Sequence, residues 1–120
     1  MRARIILAVG CAAWAAMVAA HADGTDRGRE AFEKRCTGCH APDTAKEGPP
    51  LRGVFGRRAG SAAKFPYSEA LSKARFTWDE ASLDRWLTDP DALVPDNNMP
   101  FRLDNAGERA AIIDYLKRLR

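Results

Sequence analysis

Two cysteines and a histidine stand together in the sequence Cys36-Thr37-Gly38-Cys39-His40. This C-x-x-C-H spacing is typical of a c-type haem attachment site. Two thiols three positions apart can each form a thioether with one vinyl group of the same porphyrin, and the adjacent imidazole then lies beneath the iron. The sequence therefore predicts one covalent haem c, held by Cys36 and Cys39, with His40 as an iron ligand.

Three other chemistries use similar spacings. A structural zinc site needs four ligands, typically two Cys/His pairs, and the sequence offers no second pair. A thioredoxin-like C-x-x-C opens a helix after a strand, whereas this motif follows a predicted helix. A plain structural disulfide between Cys36 and Cys39 stays open as the alternative.

The N-terminus has the pattern of a secretory signal peptide. Arg2 and Arg4 precede an apolar run over residues 5–20, and Ala20-His21-Ala22 is a small-x-small cleavage triplet. The run is short for a membrane-spanning helix, which needs about 20 residues, although an uncleaved anchor stays open. We predict a signal peptide over residues 1–22 and one domain over residues 23–120.

Removal of this peptide changes the charge of the chain. Arg2 and Arg4 leave with it, so basic residues fall from 19 to 17 against 16 acidic ones, and the formal net charge falls from +3 to +1. No basic footprint for nucleic acid remains. Export also brings the cysteines to a compartment outside the cytoplasm, which predicts a periplasmic protein without stable membrane insertion after cleavage.

A sixth iron ligand is needed if the haem carries electrons. After loss of residues 1–22, His40 is the only histidine and Met99 the only methionine. Met99 lies in the proline-bounded stretch 94–101, which is poor in helix formers and suited to lying over a flat cofactor. Core filling is the usual role of a methionine. Met/His ligation is nevertheless known for cytochromes c, and we predict Met99 as the second metal ligand.

On a longer set of residues the chain resembles class I cytochromes c, most closely the mitochondrial and bacterial c2-type branch. The resemblance covers nearly all of residues 23–120. It is carried by Gly28, Phe32, Cys36–His40, Gly48-Pro49-Pro50-Leu51, Gly53, Gly56-Arg57-Arg58-Ala59-Gly60, Phe65-Pro66-Tyr67, Trp78, Pro90, Pro95, Met99-Pro100-Phe101 and Tyr115.

The resemblance implies a fold and a set of site residues. The fold class is all-α, with about four to five helices around the covalent haem. Pro49 would offer its carbonyl to His40, and Arg57, Tyr67, Trp78 and Asn97 would bond or neutralise the haem propionates. For Tyr67 and Trp78 the alternative is ordinary aromatic core, and for Arg57 a solvated charge. Gly28 and Phe32 would pack against Tyr115.

Local patterns predict the elements that position these residues. A first helix is expected over about residues 25–35, followed by a long loop over 41–60 that is ordered by the cofactor. A short helix is expected over 68–73, and Thr77 with Glu80 has the pattern of a capping box for a helix ending near Thr88. Asn105 with Glu108 predicts the start of the last helix.

The chain also departs from the family pattern. Trp86 lies where many relatives carry a tyrosine that bonds the methionine sulfur, so that contact is in question. Asp91 and Asn98 stand where mitochondrial relatives often carry lysine near the haem edge. The docking face is therefore expected to be mixed in charge, with weak electrostatic steering.

These features predict a monomeric single-electron carrier and not an enzyme, with transient redox protein partners that reduce and oxidise it. A haem subunit held to one dehydrogenase or oxidase is an alternative. A haem sensor or peroxidase in which Met99 leaves the iron is another.

Overall fold

The computed structural model describes residue 24 and residues 26–120. The predicted signal peptide and its cleavage site after Ala22 lie outside the described residues. Within the described part the chain forms five helices and no strand, which confirms the all-α prediction. None of the helices described is long and apolar enough to cross a membrane. The helices are α1 over residues 26–35, α2 Glu69–Ser72, α3 Glu80–Thr88, α4 Pro90–Leu93 and α5 Ala106–Arg118.

Helices α1 and α5 pack against each other at very short range. A Cβ atom at Gly28 would lie 2.5 Å from the carbonyl oxygen of Ala111, so only glycine permits this approach. One turn later Phe32 is 2% exposed, and its ring centroid lies 4.9 Å from that of Tyr115. This crossing fixes the C-terminal end of α1, from which the C-x-x-C-H motif continues.

Helix α3 begins later than the sequence pattern predicted. Its capping box is formed by Asp79 and Ser82, not by Thr77 and Glu80. The reason is tertiary: Thr77 forms an isolated antiparallel bridge with Arg58, and the N–H of Trp78 donates to the carbonyl of Arg57. Because this backbone is committed to the 56–59 segment, the helix cannot start before Asp79.

The end of α3 leads directly into a helix that the sequence analysis did not predict. Asp89 both terminates α3 and caps α4, whose first residue is Pro90. Proline is tolerated at this position because the N–H of the first helical residue has no partner within the helix. Four residues are too few to show a helical period, so only the Asp-Pro pair could have indicated this turn.

Helix α5 begins at the predicted cap, with the Asn105 side chain accepting from the Glu108 N–H at 2.8 Å. Arg109, one turn further on, is 9% exposed. Its Nε donates to Asp84 Oδ1 of α3 at 2.7 Å, and another guanidinium nitrogen donates to the carbonyl of Leu103 at 2.8 Å. Arg109 therefore joins α5, α3 and the segment that follows Met99.

Candidate functional site

A cavity of about 430 Å³ lies between α1, the long loop, α3 and α5, and its walls are mostly apolar. Eight of the residues predicted from the sequence line it, namely Cys36, Cys39, His40, Pro49, Arg57, Tyr67, Trp78 and Met99. Asn97 does not. The fold thus brings residues from positions 36 to 99 of the chain to one space.

The C-x-x-C-H motif is built as a continuation of α1. The N–H of Cys36 donates to the carbonyl of Phe32, and the N–H of His40 donates to the carbonyl of Cys36, each at 2.8 Å. Both cysteines are free thiols. Burial, assisted by the carboxylate of Glu108, raises the pKa of the Cys36 thiol to about 12, so this group is a neutral thiol at neutral pH.

The imidazole of His40 is held by the loop that passes beside it. It is 8% exposed, and its Nδ1 lies 2.8 Å from the carbonyl oxygen of Pro49. Burial lowers the pKa of His40, the charge of Lys46 adds to this, and the Pro49 carbonyl opposes it. A neutral ring that donates from Nδ1 leaves the lone pair of Nε2 free to bind a metal.

Gly48 allows the loop to pass this close to the ring. A Cβ atom at this position would lie 2.2 Å from Cε1 and 2.6 Å from Nδ1 of His40. Its N–H donates to the carbonyl of Cys39 at 2.8 Å, so the loop cannot simply move away. A side chain at residue 48 would therefore occupy the space of the imidazole.

Met99 reaches the cavity from the segment between α4 and α5. Its backbone is held on both sides, because its N–H donates to Asn97 Oδ1 at 2.8 Å and its carbonyl accepts from the N–H of Phe101 at 2.9 Å. Two residues after Phe101, the N–H of Leu103 donates to the carbonyl of Leu87 in α3 at 2.9 Å. The segment that carries Met99 is thus anchored without being helical.

Three polar side chains face the cavity with hydrogen-bonding capacity to spare. Arg57 Nε is the one buried side-chain nitrogen or oxygen without a partner among the described residues. The hydroxyl of Tyr67 accepts from the N–H of Ala62 at 3.0 Å, which leaves its own hydrogen free to donate. The Trp78 indole is 6% exposed, and no hydrogen bond to another described residue uses its N–H.

The chemistry of this cavity fits a haem. Its apolar walls suit the porphyrin face, and the imidazole and thioether are ligands used by haem iron. Buried polar groups nearly always have partners, so the unpartnered Nε of Arg57 and the free hydroxyl hydrogen of Tyr67 indicate an acceptor such as a carboxylate. The two propionates of a haem supply such acceptors.

The walls include residues that sequence reasoning did not assign to the site. Leu83 and Leu87 of α3 line the cavity beside Trp86, and their i, i+4 spacing could have indicated a shared face. From α5, Ile112 and Leu116 also line the cavity. The steric role of Gly48 had no signal beyond its place in the family pattern.

Comparisons with known proteins agree with this site. The sequence model of the family described as Cytochrome c matches residues 25–120. Cytochrome c2 iso-2 of Magnetospirillum fulvum is 44% identical over 87 residues, which cover 70% of this chain and 91% of that protein. Cytochrome c2 of Rhodomicrobium vannielii is 41% identical over 121 positions, which cover 97% of this chain and 95% of that protein. The solved structure of cytochrome cH from Methylobacterium extorquens superposes with a TM-score of 0.74 at 38% identity, covering 78% of this chain and 97% of that one.

Proposed function

Since the chain belongs to the cytochrome c family and is a monohaem electron carrier with one covalent haem c, and not an enzyme, we propose that it shuttles single electrons in the periplasm through iron ligated by His40 and Met99. The observation that carries the proposal is the meeting of the C-x-x-C-H motif and Met99 at one cavity.

Cys36 and Cys39 hold the haem. Each would be joined to the haem by a thioether, formed by addition of its S–H across one vinyl double bond. The haem itself supplies iron that changes between the ferrous and ferric states. Two thioethers at the end of α1 fix the orientation of the haem relative to His40, whose ring is held by Pro49 and Gly48.

His40 and Met99 would both bind the iron, which would leave no open coordination site for oxygen or peroxide. The Pro49 carbonyl fixes the proton of His40 on Nδ1 and raises the basicity of the ligand. The thioether of Met99 is a soft ligand that favours ferrous iron, which gives a positive potential in the manner of other Met/His haems. Arg57, Tyr67 and Trp78, which line the cavity, would hold the propionates.

Partners meet the protein briefly at the mouth of the cavity. Arg35 lines the cavity, but its Nε and one terminal guanidinium nitrogen donate to the Glu108 carboxylate, at 2.7 and 3.2 Å. This ion pair reduces the positive charge that Arg35 presents to a partner. Asp91 and Asn98 are exposed nearby. We therefore propose a monomer whose encounters with redox partners have a small electrostatic component and an interface in the size range of weak redox complexes.

Substitution of Met99 tests the ligand set. In the ferric holoprotein, Met99→Ala should abolish the charge-transfer band that arises from methionine bound to iron, open the iron to added imidazole and lower the reduction potential. Arg102→Ala is the matched control, because Arg102 lies on the same segment with its side chain 65% exposed. An unchanged band in Met99→Ala, or carbon monoxide binding to the reduced wild type, would contradict the proposal.

Expression with the native N-terminus, in a host that matures c-type cytochromes, tests export and attachment together. Mass spectrometry should give the mass of residues 23–120 plus one haem. A mass that includes residues 1–22 would show that the N-terminus is not cleaved and would favour a membrane-anchored carrier over a free one.

A further inference from the structure

The segment that presents Met99 is shaped by the side chain of Asn97. We propose that Asn97 is a positioning residue for Met99, which it holds through a hydrogen-bonded bridge to the first turn of α4, and that it does not bind a haem propionate. This inference rests on the proposed function, because it assumes that Met99 is an iron ligand.

The bridge uses both ends of the Asn97 amide. Nδ2 donates to Asp91 Oδ1 at 2.8 Å and to the carbonyl of Val94 at 2.9 Å, while Oδ1 accepts from the Met99 N–H at 2.8 Å. The orientation of the amide is fixed by chemistry, since its neighbours are two acceptors on one side and one donor on the other. Both N–H groups of Asn97 are therefore in use.

This arrangement excludes the role that the family resemblance implied for Asn97. A propionate is an acceptor and needs a donor, and the side chain of Asn97 has none left. The residue also lies outside the main cavity and instead lines a shallow neighbouring depression together with Asp91 and Asn98. Arg57 and Tyr67, by contrast, face the cavity with donors unused.

The backbone before Met99 needs such a support. Asp96 has a φ of 64°, in the left-handed region that side chains other than glycine adopt at some cost. The reversal at Asp96 points the next residues back toward α4, where the amide of Asn97 joins Asp91 to Met99. Among the described residues, Asn97 supplies the one side-chain hydrogen bond to the Met99 backbone.

The position of the bridge predicts what its loss would do. To leave the iron, Met99 must swing away with its backbone, and the Oδ1 bond of Asn97 opposes that movement. One ordinary hydrogen bond changes an equilibrium by about five-fold. The effect should appear as easier displacement of Met99, with the bound state still populated.

Imidazole titration of the ferric holoprotein, followed by the methionine charge-transfer band, measures this displacement. Asn97→Ala should raise the apparent affinity for imidazole about five-fold. Asp91→Ala should raise it less, because Asn97 keeps its bonds to Val94 and Met99, and the double variant should match Asn97→Ala alone. Non-additivity of this kind indicates action through one shared contact.

Ser82→Ala is the matched control for general destabilisation. Its hydroxyl belongs to the capping box of α3 and bonds Asp79 and Thr77, away from the Met99 segment. It should lower the urea midpoint by an amount similar to Asn97→Ala and leave the imidazole affinity unchanged. Equal gains in affinity for both variants would overturn the inference.

The same titration distinguishes a failure of the Met99 ligand assignment from a failure of the positioning role of Asn97. If Met99→Ala does not increase imidazole affinity, Met99 is not the ligand, and the proposed function fails together with the inference. If Met99→Ala opens the iron but Asn97→Ala leaves the affinity unchanged, only the inference fails. A change confined to the pH dependence of the potential in Asn97→Ala would instead assign Asn97 to a propionate.

Discussion

Gly48→Ala should displace the imidazole of His40 from its hydrogen bond to Pro49. The new Cβ would lie 2.2 Å from Cε1 of the ring, about 1.2 Å inside the 3.4 Å at which ordinary contact begins. The loop is held by the bond from the Gly48 N–H to Cys39, so the imidazole must move. Movement of that size breaks the 2.8 Å bond from Nδ1 to Pro49.

The expected cost follows from these two effects. Overpacking a tight site costs about 1–3 kcal/mol, and leaving the Pro49 carbonyl unpaired costs about 1 kcal/mol or more. We therefore expect Gly48→Ala to lower the free energy of unfolding of the holoprotein by about 2–4 kcal/mol, a large share of the 5–15 kcal/mol of a typical domain.

Urea denaturation and the ferric absorption spectrum together test this estimate. The spectrum should report a weakened histidine ligand, while the haem remains attached through Cys36 and Cys39. Gly38→Ala is the matched control, since it lies in the same motif and its Cβ would meet nothing within 4 Å. If Gly48→Ala and Gly38→Ala have the same unfolding midpoint and the same spectrum, the steric argument is wrong.

Three further predictions concern the frame around the site. Arg109→Ala should lower the free energy of unfolding, measured by urea denaturation, by about 3 kcal/mol because it leaves two carbonyls and a carboxylate without their buried partner. Exposed Arg118→Ala should change the same free energy by less than about 0.5 kcal/mol. Equal losses of free energy in the two variants would contradict the role of Arg109 in joining α5, α3 and the segment that follows Met99. Gly28→Ala should force α1 from α5 and lower the thermal midpoint of the holoprotein; no change would mean that the crossing is looser than 2.5 Å implies. The hydrogen bond from Arg35 lowers the pKa of Glu108 in the folded protein. The ionised Glu108 therefore stabilises the fold at pH values above its unfolded pKa of about 4.3, and this contribution is lost as the pH falls through the lower folded pKa. The unfolding midpoint of Glu108→Gln should therefore fall less steeply than that of the wild type below about pH 4, and parallel profiles would contradict this sign.

The parts of the site that depend on adjacent residues were accessible from the sequence. The C-x-x-C-H motif predicts its own geometry because the thiols and the imidazole lie within one turn of backbone. The Asn105 cap is equally local, and the start of α5 was predicted correctly. Met99 was predicted as the second ligand by elimination, since residues 23–120 contain no other methionine.

What the sequence could not supply depends on contacts between distant segments. Thr77 and Glu80 form a plausible capping box, but the bridge from Thr77 to Arg58 takes that backbone out of the helix. Asn97 could serve a propionate by residue type alone, and only its distances to Asp91 and Met99 show that its donors are already used. Such competition between a local preference and a tertiary partner leaves no trace in residue spacing.

The cavity has a consequence for the life of the polypeptide before its haem arrives. The mostly apolar lining of the cavity comes from α1, the long loop, α3 and α5, so a haem bound there would bury side chains of all four at once. A short chain buries only a modest core of its own, so contacts with the haem should add substantially to its stability. We therefore expect the polypeptide without haem to be less stable than the holoprotein and more readily cleaved by proteases.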